Sequence, residues 1–393
     1  MGETRSGISR AEYEGRRARA AAAARTAGLK GLLVVSRGGG TLDRYGDVMY
    51  LTGFYTLFPY IPDLAGNWSA RAHTFALLTA EGETRLIVDC AAEADVALDA
   101  GEIVRADLVV EAVIAEMRRL GLDEGPIGLV GEDVLPLGVY RQIAGALDRV
   151  DWRNGAPILA SLRAVKSPAE IALLKRASAL GSRMIDAMMA RAEPGATHGD
   201  VVAAGMDVLV PARGMLYNSF MASGRGGDSP TVTRANFPTW GSPTPLAKGE
   251  WFRIGISGVL DGYFFDLSRS KPIGPPSNRQ IDLFEAAISC VETGIAAVRP
   301  GTTAEAVAAA GLGRQAELGY PLTSVFSGLG HGVGLGWDSP WLAPGDLTVL
   351  APGMSLCFER TVTKDGYLGD FEETVIVTGE GAEKITDARM RYW

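Results

Sequence analysis

Four ionisable side chains, each inside a segment with the composition of a β-strand, constrain this fold more than any other feature of the sequence. They are Asp266 in GYFFDLSRS, His331 in GLGHGVGL, Glu359 in MSLCFERTV and Glu372 in DFEETVIVT. Burying three carboxylates and an imidazole costs much free energy unless a metal, a charged substrate or a proton-transfer reaction compensates for it. The pattern therefore predicts one polar site shared by separate strands.

Length and charge limit the possible partners. A chain of 393 residues is long enough for two domains. Its net charge of −8 argues against nucleic acid or an anionic membrane surface as a partner. Apolar runs of about 18 residues, which a membrane span needs, are missing from the sequence. The three cysteines, Cys90, Cys290 and Cys357, are widely spaced and odd in number, which fits a reducing cytoplasm and no disulfide framework.

The first 160 residues alternate between strand and helix signals. The predicted strands are 31–35, 48–51, 74–79 and 86–89, and the predicted helices are 107–120 and 139–147. This alternation indicates an α/β domain with a mixed sheet.

A domain boundary is predicted before residue 161. Ser167 is a good N-cap, Pro168 suits the first helical position, and Glu170 completes a capping box. We therefore predict an N-terminal domain of residues 1–160 and a larger domain of residues 161–393.

The larger domain contains a short internal repeat. Residues 194–201 are PGATHGDV and residues 300–307 are PGTTAEAV, and in each the second residue after Gly is a Thr that can cap the next helix. The repeat suggests two similar halves with a site between them. His198, in the first turn after Thr197, is expected at the surface.

These motifs, in this order and spacing, resemble the creatinase, aminopeptidase P and prolidase family over roughly residues 10–390. The resemblance implies a smaller N-terminal α/β domain and a C-terminal domain of the pita-bread fold, with a pseudo-twofold α+β architecture. It also implies a homodimer that acts on a small-molecule substrate.

The resemblance implies a metal-ligand set that this chain keeps only in part. Metallopeptidase members bind two ions through two Asp, one His and two Glu, and the matching residues here are Asp266, His331, Glu359 and Glu372. The remaining Asp position, eleven residues before Asp266, is Gly255. We expect a metal-free site, as in creatinase, with a single Mn, Fe or Zn ion on the four retained residues as the alternative.

Two auxiliary histidines of the family are also missing. Asp338 stands where the peptidases have a second His, and residues 234–245 contain none. Both differences argue against ordinary Xaa-Pro peptidase chemistry.

Aromatic and basic residues are expected to line the site. The candidates for substrate binding are Tyr217, Phe220, Arg225, Trp240, Trp337, Trp341 and Arg360. Aromatic faces beside carboxylates suit a small cationic ligand. Arg360 is expected either to hold a substrate carboxylate or to lower the pKa of Glu359, and Arg269 to pair with a buried carboxylate.

The sequence thus favours a creatinase-like hydrolase that cleaves a C–N bond in a small cationic or zwitterionic non-peptide substrate. Glu359, Glu372 and Asp338 are candidate bases, and His331 is the candidate proton donor. Three alternatives stay open: a β-elimination lyase similar to the dimethylsulfoniopropionate lyases of this family, a one-metal Xaa-Pro peptidase, and a non-catalytic binding protein.

Overall fold

Alternating strands and helices build a six-stranded mixed sheet in the first unit of the chain, Met1–Arg163. Its strands are β1 (Gly31–Arg37), β2 (His73–Thr79), β3 (Thr84–Val88), β4 (Ile103–Arg105), β5 (Glu124–Val130) and β6 (Arg149–Asn154), in the order β4-β3-β2-β1-β5-β6. Its helices are α1 (Arg10–Thr26), α2 (Gly46–Thr52), α3 (Val109–Arg119), α4 (Leu137–Ala146) and α5 (Ala156–Ala164). The computed structural model describes residues 7–38, 42–89, 96–226, 240–322 and 327–393, so Cys90 lies outside the described residues.

The predicted strand at 48–51 is wrong, because these residues form α2. Val48, Tyr50 and Leu51 are all buried, and the helix ends at Gly53, whose φ of 74° is left-handed. Packing of a short helix against the sheet therefore overrides the local β-propensity of Val and Tyr.

The second unit, Ala164–Trp393, contains two successive arrangements of two helices followed by antiparallel strands. The first has α6 (Pro168–Arg191), α7 (His198–Leu209), β7 (Met215–Gly224), β8 (Trp251–Leu260) and β9 (Tyr263–Pro272). The second has α8 (Asn278–Ala296), α9 (Ala304–Glu317), β10 (Gly330–Val333), β11 (Trp337–Leu342), β12 (Ser355–Lys364), β13 (Tyr367–Val377) and β14 (Ala382–Lys384). The sheet orders are β7-β8-β9 and β11-β10-β12-β13-β14.

The predicted helix starts are confirmed. Ser167 and Glu170 form a capping box at α6, and the side chains of Thr197 and Thr303 accept hydrogen bonds from backbone N–H groups at the starts of α7 and α9. Each half then buries its helices against its own sheet, in two separate apolar clusters.

His198 is buried, so its expected surface position is wrong. Its Nδ1 accepts a hydrogen bond from the Ser242 N–H at 3.0 Å, and its ring packs edge-on against Phe252. Its position in the first turn turns the ring inward, where it fixes the loop at Ser242.

Hydrogen bonds join the two sheets along β9 and β13. The Ser270 hydroxyl accepts from the Asp370 N–H at 2.7 Å and donates to the Asp370 carbonyl at 3.0 Å, and the Thr374 hydroxyl donates to the Asp266 carbonyl at 3.0 Å. Residues on both strands are thereby held at fixed positions beside each other. None of the described helices combines the length and apolar character needed to cross a bilayer.

Candidate metal centre

The four ionisable residues all lie on strands, as predicted, and strand register places them in two rows. Glu359 on β12 is directly opposite Glu372 on β13, and Asp266 on β9 is opposite Ser257 on β8. Side chains of directly opposed residues lie on the same face of a sheet. Since β9 and β13 are also bonded to each other, both rows meet at the junction of the two sheets.

His331 faces Asp266 through one nitrogen. Its Nδ1 is 2.9 Å from the Gly332 carbonyl oxygen, so the proton sits on Nδ1, and Nε2 lies 3.7 Å from Asp266 Oδ2. This separation is too long for a hydrogen bond, but two ligands at about 2.1 Å from one ion can be up to about 4.2 Å apart. The pair is therefore spaced as two ligands of one ion would be.

Three aromatic rings form one wall of the site. The rings of Trp337 and Trp341 lie 5.7 and 5.6 Å from the imidazole of His331, and the Tyr217 ring lies 5.9 Å from Trp337. Both tryptophans are about two-fifths exposed. The wall thus fixes the imidazole and leaves apolar surface open to a ligand.

The carboxylates hold their protons more tightly than usual. Burial, and then the neighbouring charges of Asp266 and Glu359, raises the pKa of Glu372 well above its usual range. Burial, followed by the Asp370 charge, raises the pKa of Glu359 to about 8. Burial also raises the pKa of Asp266, against the opposing effect of His331. A bound cation would compensate for this concentration of acidic groups.

Arg253 and Asp370 were not predicted as part of this site. Arg253 on β8 donates from Nε to Asp370 Oδ2 at 2.7 Å, and its Nη2 also contacts Asp370 and lies 3.4 Å from Glu359 Oε1. The Thr361 hydroxyl donates to the other Asp370 oxygen at 2.8 Å. The available signal was strand alternation, which puts Arg253, Gly255 and Ser257 on one face.

Cys357 also lies beside the site, although it was not among the predicted ligands. One potential ligand atom from each of Asp266, His331 and Cys357 lies within 4.8 Å of the others. Burial, and then the charges of Glu372 and Asp266, raises the pKa of the Cys357 thiol well above its usual value. Cys357 therefore presents a neutral thiol beside the carboxylates.

One of the two predicted roles of Arg360, binding a substrate carboxylate, is wrong. Alternation along β12 turns Arg360 to the face opposite Glu359, where it is buried and contacts the Gln315 side chain and, at 2.8 Å, the Gly328 carbonyl. It holds no position from which to bind a substrate carboxylate. Arg360 does lower the pKa of Glu359, as expected, but burial and the Asp370 charge outweigh it and the net shift is upward.

Asp338 lies apart from the other candidate bases. It alternates with Trp337 along β11, is buried, and has Oδ2 3.6 Å from the buried Lys166 ammonium. This ion pair favours a structural role for Asp338, and its predicted role as a base stays a prediction.

The remaining predicted residues differ in their surroundings. Phe220 is opposite Gly255 in the register of β7 and β8, beside the site. Arg225, just past β7, has its Nε 3.9 Å from Glu250, and Trp240 is about half exposed at the edge of a described segment. Arg269 pairs with the buried Glu373 at 2.9 Å, which confirms its expected carboxylate partner.

Comparison with known proteins agrees with this geometry. Residues 16–165 match the creatinase/prolidase N-terminal domain, and residues 172–379, more than half of the chain, match metallopeptidase family M24. The chain belongs to metallopeptidase family M24. The predicted family resemblance and two-domain pita-bread fold are confirmed.

Several of the proteins that resemble this chain over two thirds or more of its length are named as dipeptidases. The probable dipeptidase PepE of Mycobacterium tuberculosis is 29% identical over 394 residues, which cover 95% of this chain and 94% of that protein. The crystal structure of dipeptidase PepE from Mycobacterium ulcerans is 27% identical, covers 98% of both chains and has a TM-score of 0.78. The Xaa-Pro dipeptidase of Pyrococcus horikoshii is 24% identical over 67% of this chain and 74% of that protein.

These relatives overturn the prediction of a non-peptide C–N hydrolase. Gly255 and Asp338, which stand where family members have ligand and auxiliary residues, do not remove the chain from the peptidase family.

Glu372 is buried, and its Oε1 has no hydrogen-bond partner among the described residues, so this oxygen is available to a ligand. Among those residues, the ligand atoms that all lie within 4.8 Å of one another belong to Asp266, His331 and Cys357, so Glu359 and Glu372 enter the ligand set through the family resemblance. Oxygen and imidazole donors of this kind fit a divalent first-row metal.

Proposed function

We propose that this protein is a dipeptidase that hydrolyses the peptide bond of small dipeptides with one divalent metal ion. The proposed ligands are Asp266, His331, Glu359 and Glu372. The dipeptidases among its relatives support the substrate class, and the family supports the use of a metal. Mn, Fe or Zn would each suit the donor set.

One observation carries this proposal more than any other: the arrangement of His331 and its neighbours. Its Nδ1–H is held by a backbone carbonyl, which leaves the Nε2 lone pair pointing toward Asp266 Oδ2. A metal-ligating His characteristically donates its other ring N–H to such a partner. The unpartnered Oε1 of Glu372 adds a buried oxygen donor to the same centre.

When bound, such an ion supplies Lewis-acid chemistry by polarising the substrate carbonyl. Glu359 moves the proton. Its side chain is 28% exposed, so it could take a proton from the attacking water and pass it to the leaving amine nitrogen. The water oxygen bonds to the carbonyl carbon, the C–N bond breaks, and the carboxylate ends as it began.

The aromatic wall would bind the side chain of the dipeptide. Tyr217, Trp337 and Trp341 present apolar faces beside His331 that match an aliphatic side chain or the ring of proline. We therefore expect a preference for an apolar or imino C-terminal residue over a charged one.

A dipeptide panel tests the function. Protein loaded separately with Mn²⁺, Fe²⁺ and Zn²⁺ is assayed for amine release from Ala-Pro, Ala-Leu and Ala-Asp. We expect cleavage with at least one ion, fastest for Ala-Pro or Ala-Leu, and loss of both activity and bound metal in Asp266→Ala. The exposed Glu317→Gln is the matched control for an altered acidic residue.

Two results would contradict the proposal. Protein that holds one metal equivalent and cleaves none of these dipeptides is not a dipeptidase of this kind. Protein that cleaves them after complete removal of metal does not use the metal centre, and the expected metal-free site would then be correct.

A further inference from the structure

The position that lacks a metal ligand lies beside a guanidinium group. Gly255 has no side chain, but a Cβ built on it would lie 3.6 Å from Arg253 Nη2 and 3.5 Å from the Ser268 Cβ. These are ordinary contact distances, so the backbone leaves room for a side chain here. Beyond its Cβ, such a side chain would meet the guanidinium of Arg253.

The guanidinium is held in this place by several contacts. Asp370 receives two of its N–H groups, and the Thr361 hydroxyl fixes the other oxygen of Asp370. The Arg253 side chain is 7% exposed and the Asp370 side chain is 0% exposed. A buried, doubly bonded arginine of this kind does not leave its site readily.

Arg253 also reaches the metal ligands. Its Nη2 lies 3.4 Å from Glu359 Oε1, on the face of β8 where the Ser257 hydroxyl donates to Asp266 Oδ1 at 2.7 Å. The guanidinium thus lies between the buried Asp370 and a carboxylate of the centre. Its positive charge is paired with Asp370, and it also places a fixed guanidinium N–H group near Glu359.

We propose that Arg253 is a built-in cation that takes the place of a second metal ion, so that the centre binds one divalent ion only. This proposal rests on the one-metal function proposed above and deepens it. Gly255 removes the carboxylate that a second ion would need, and the Arg253 guanidinium fills the adjoining space with a positive group that would repel such an ion.

Metal stoichiometry tests the proposal without any assay of activity. Wild-type protein, Gly255→Asp and Arg253→Met/Gly255→Asp are freed of metal, saturated with Mn²⁺, dialysed and measured by elemental analysis and electron paramagnetic resonance. We expect one equivalent in the wild type. We also expect one in Gly255→Asp, because its new carboxylate would pair with the guanidinium. The double variant should take up two equivalents and show the signal of a coupled Mn²⁺ pair.

A further variant is included because loss of the Arg253 charge would destabilise the fold. Arg253→Met leaves the buried Asp370 without its cation, so Arg253→Met/Gly255→Asp/Asp370→Asn is prepared as well, since the amide oxygen of Asn can still accept from Thr361. It should also take up two equivalents. Thermal melting identifies the variants that fold.

Each outcome has a distinct meaning. Two equivalents in the wild type or in Gly255→Asp would overturn the role of Arg253 and leave the dipeptidase proposal in place. One equivalent in every folded variant would also overturn the role of Arg253 and leave the dipeptidase proposal in place. Absence of metal from the wild type and from all folded variants would overturn both proposals.

Discussion

The indole Nε1 of Trp337 donates a hydrogen bond to Asp266 Oδ2, 2.5 Å away. The same carboxylate receives the Ser257 hydroxyl on its other oxygen. Both oxygens of a proposed metal ligand are thus oriented by fixed donors. Such outer partners commonly affect metal affinity and activity about 10- to 100-fold.

Replacing Trp337 by Phe should therefore weaken metal binding by about 10- to 100-fold while the apolar wall is kept. The measurement is the dissociation constant for Mn²⁺ by titration calorimetry. Trp152→Phe, in the first unit of the chain, is the control and should leave the constant unchanged. Equal affinities in wild type and Trp337→Phe would show that the indole does not orient Asp266.

Replacing Glu359 by Gln should lower kcat by about 10²- to 10⁴-fold, the range expected for loss of a proton-transfer group. In metal-free protein near neutral pH the same change should raise the melting temperature, because folding must otherwise keep protonated a carboxyl that ionises in the unfolded chain, and Gln avoids that cost. The control is Glu317→Gln, an exposed position. A fall in the melting temperature of the metal-free variant would contradict the electrostatic explanation.

Arg269 is expected to be critical for stability. It is fully buried, pairs with Glu373, and donates to the carbonyls of Ser268, Glu372, Ala388 and Arg389. Arg269→Met leaves the buried Glu373 carboxylate with only the more distant Lys384 ammonium, 3.9 Å away, so the free energy of unfolding should fall by about 3–5 kcal/mol. Urea denaturation measures it. Arg279→Met breaks the exposed pair with Asp365 and should cost less than about 1 kcal/mol, so similar losses would contradict this prediction.

His198 should make stability depend on pH. Burial lowers its pKa in the folded protein, so the unfolded chain binds a proton more readily, and stability falls as pH drops below the unfolded pKa of about 6.5. The slope for one proton is at most about 1.4 kcal/mol per pH unit. We expect the free energy of unfolding to fall less between pH 7 and pH 5 in His198→Gln.

The comparison with wild type cancels the contributions of other groups, including His73 in the first unit, whose pKa burial also lowers. His73→Gln is the matched variant, with its effect confined to that unit. Identical pH profiles in wild type and His198→Gln would mean that His198 can be protonated without loss of the fold.

Local sequence signals were sufficient for the strands of the site and for the helix starts at Ser167, Thr197 and Thr303. These features depend on a few neighbouring residues, through alternation and capping. Alternation along a strand also predicts that Arg360, the residue next to Glu359, points to the opposite face of the sheet.

Arg253 could not be assigned from the sequence. Its partner Asp370 is 117 residues away, and the two meet only because β9 and β13 join the sheets. The missing ligand at Gly255 is visible in the sequence, whereas the guanidinium beside it is visible only after folding.

The bonds between β9 and β13 have a consequence for how the protein would acquire its metal. They run through Ser270, Thr374 and backbone groups, and none of them needs an ion. The pocket would then exist before the metal arrives, as a receptor that can be emptied and refilled without unfolding. Which ion such a receptor holds would be decided in part by the supply in the surrounding cell, so the metal found in a purified sample records how that sample was grown.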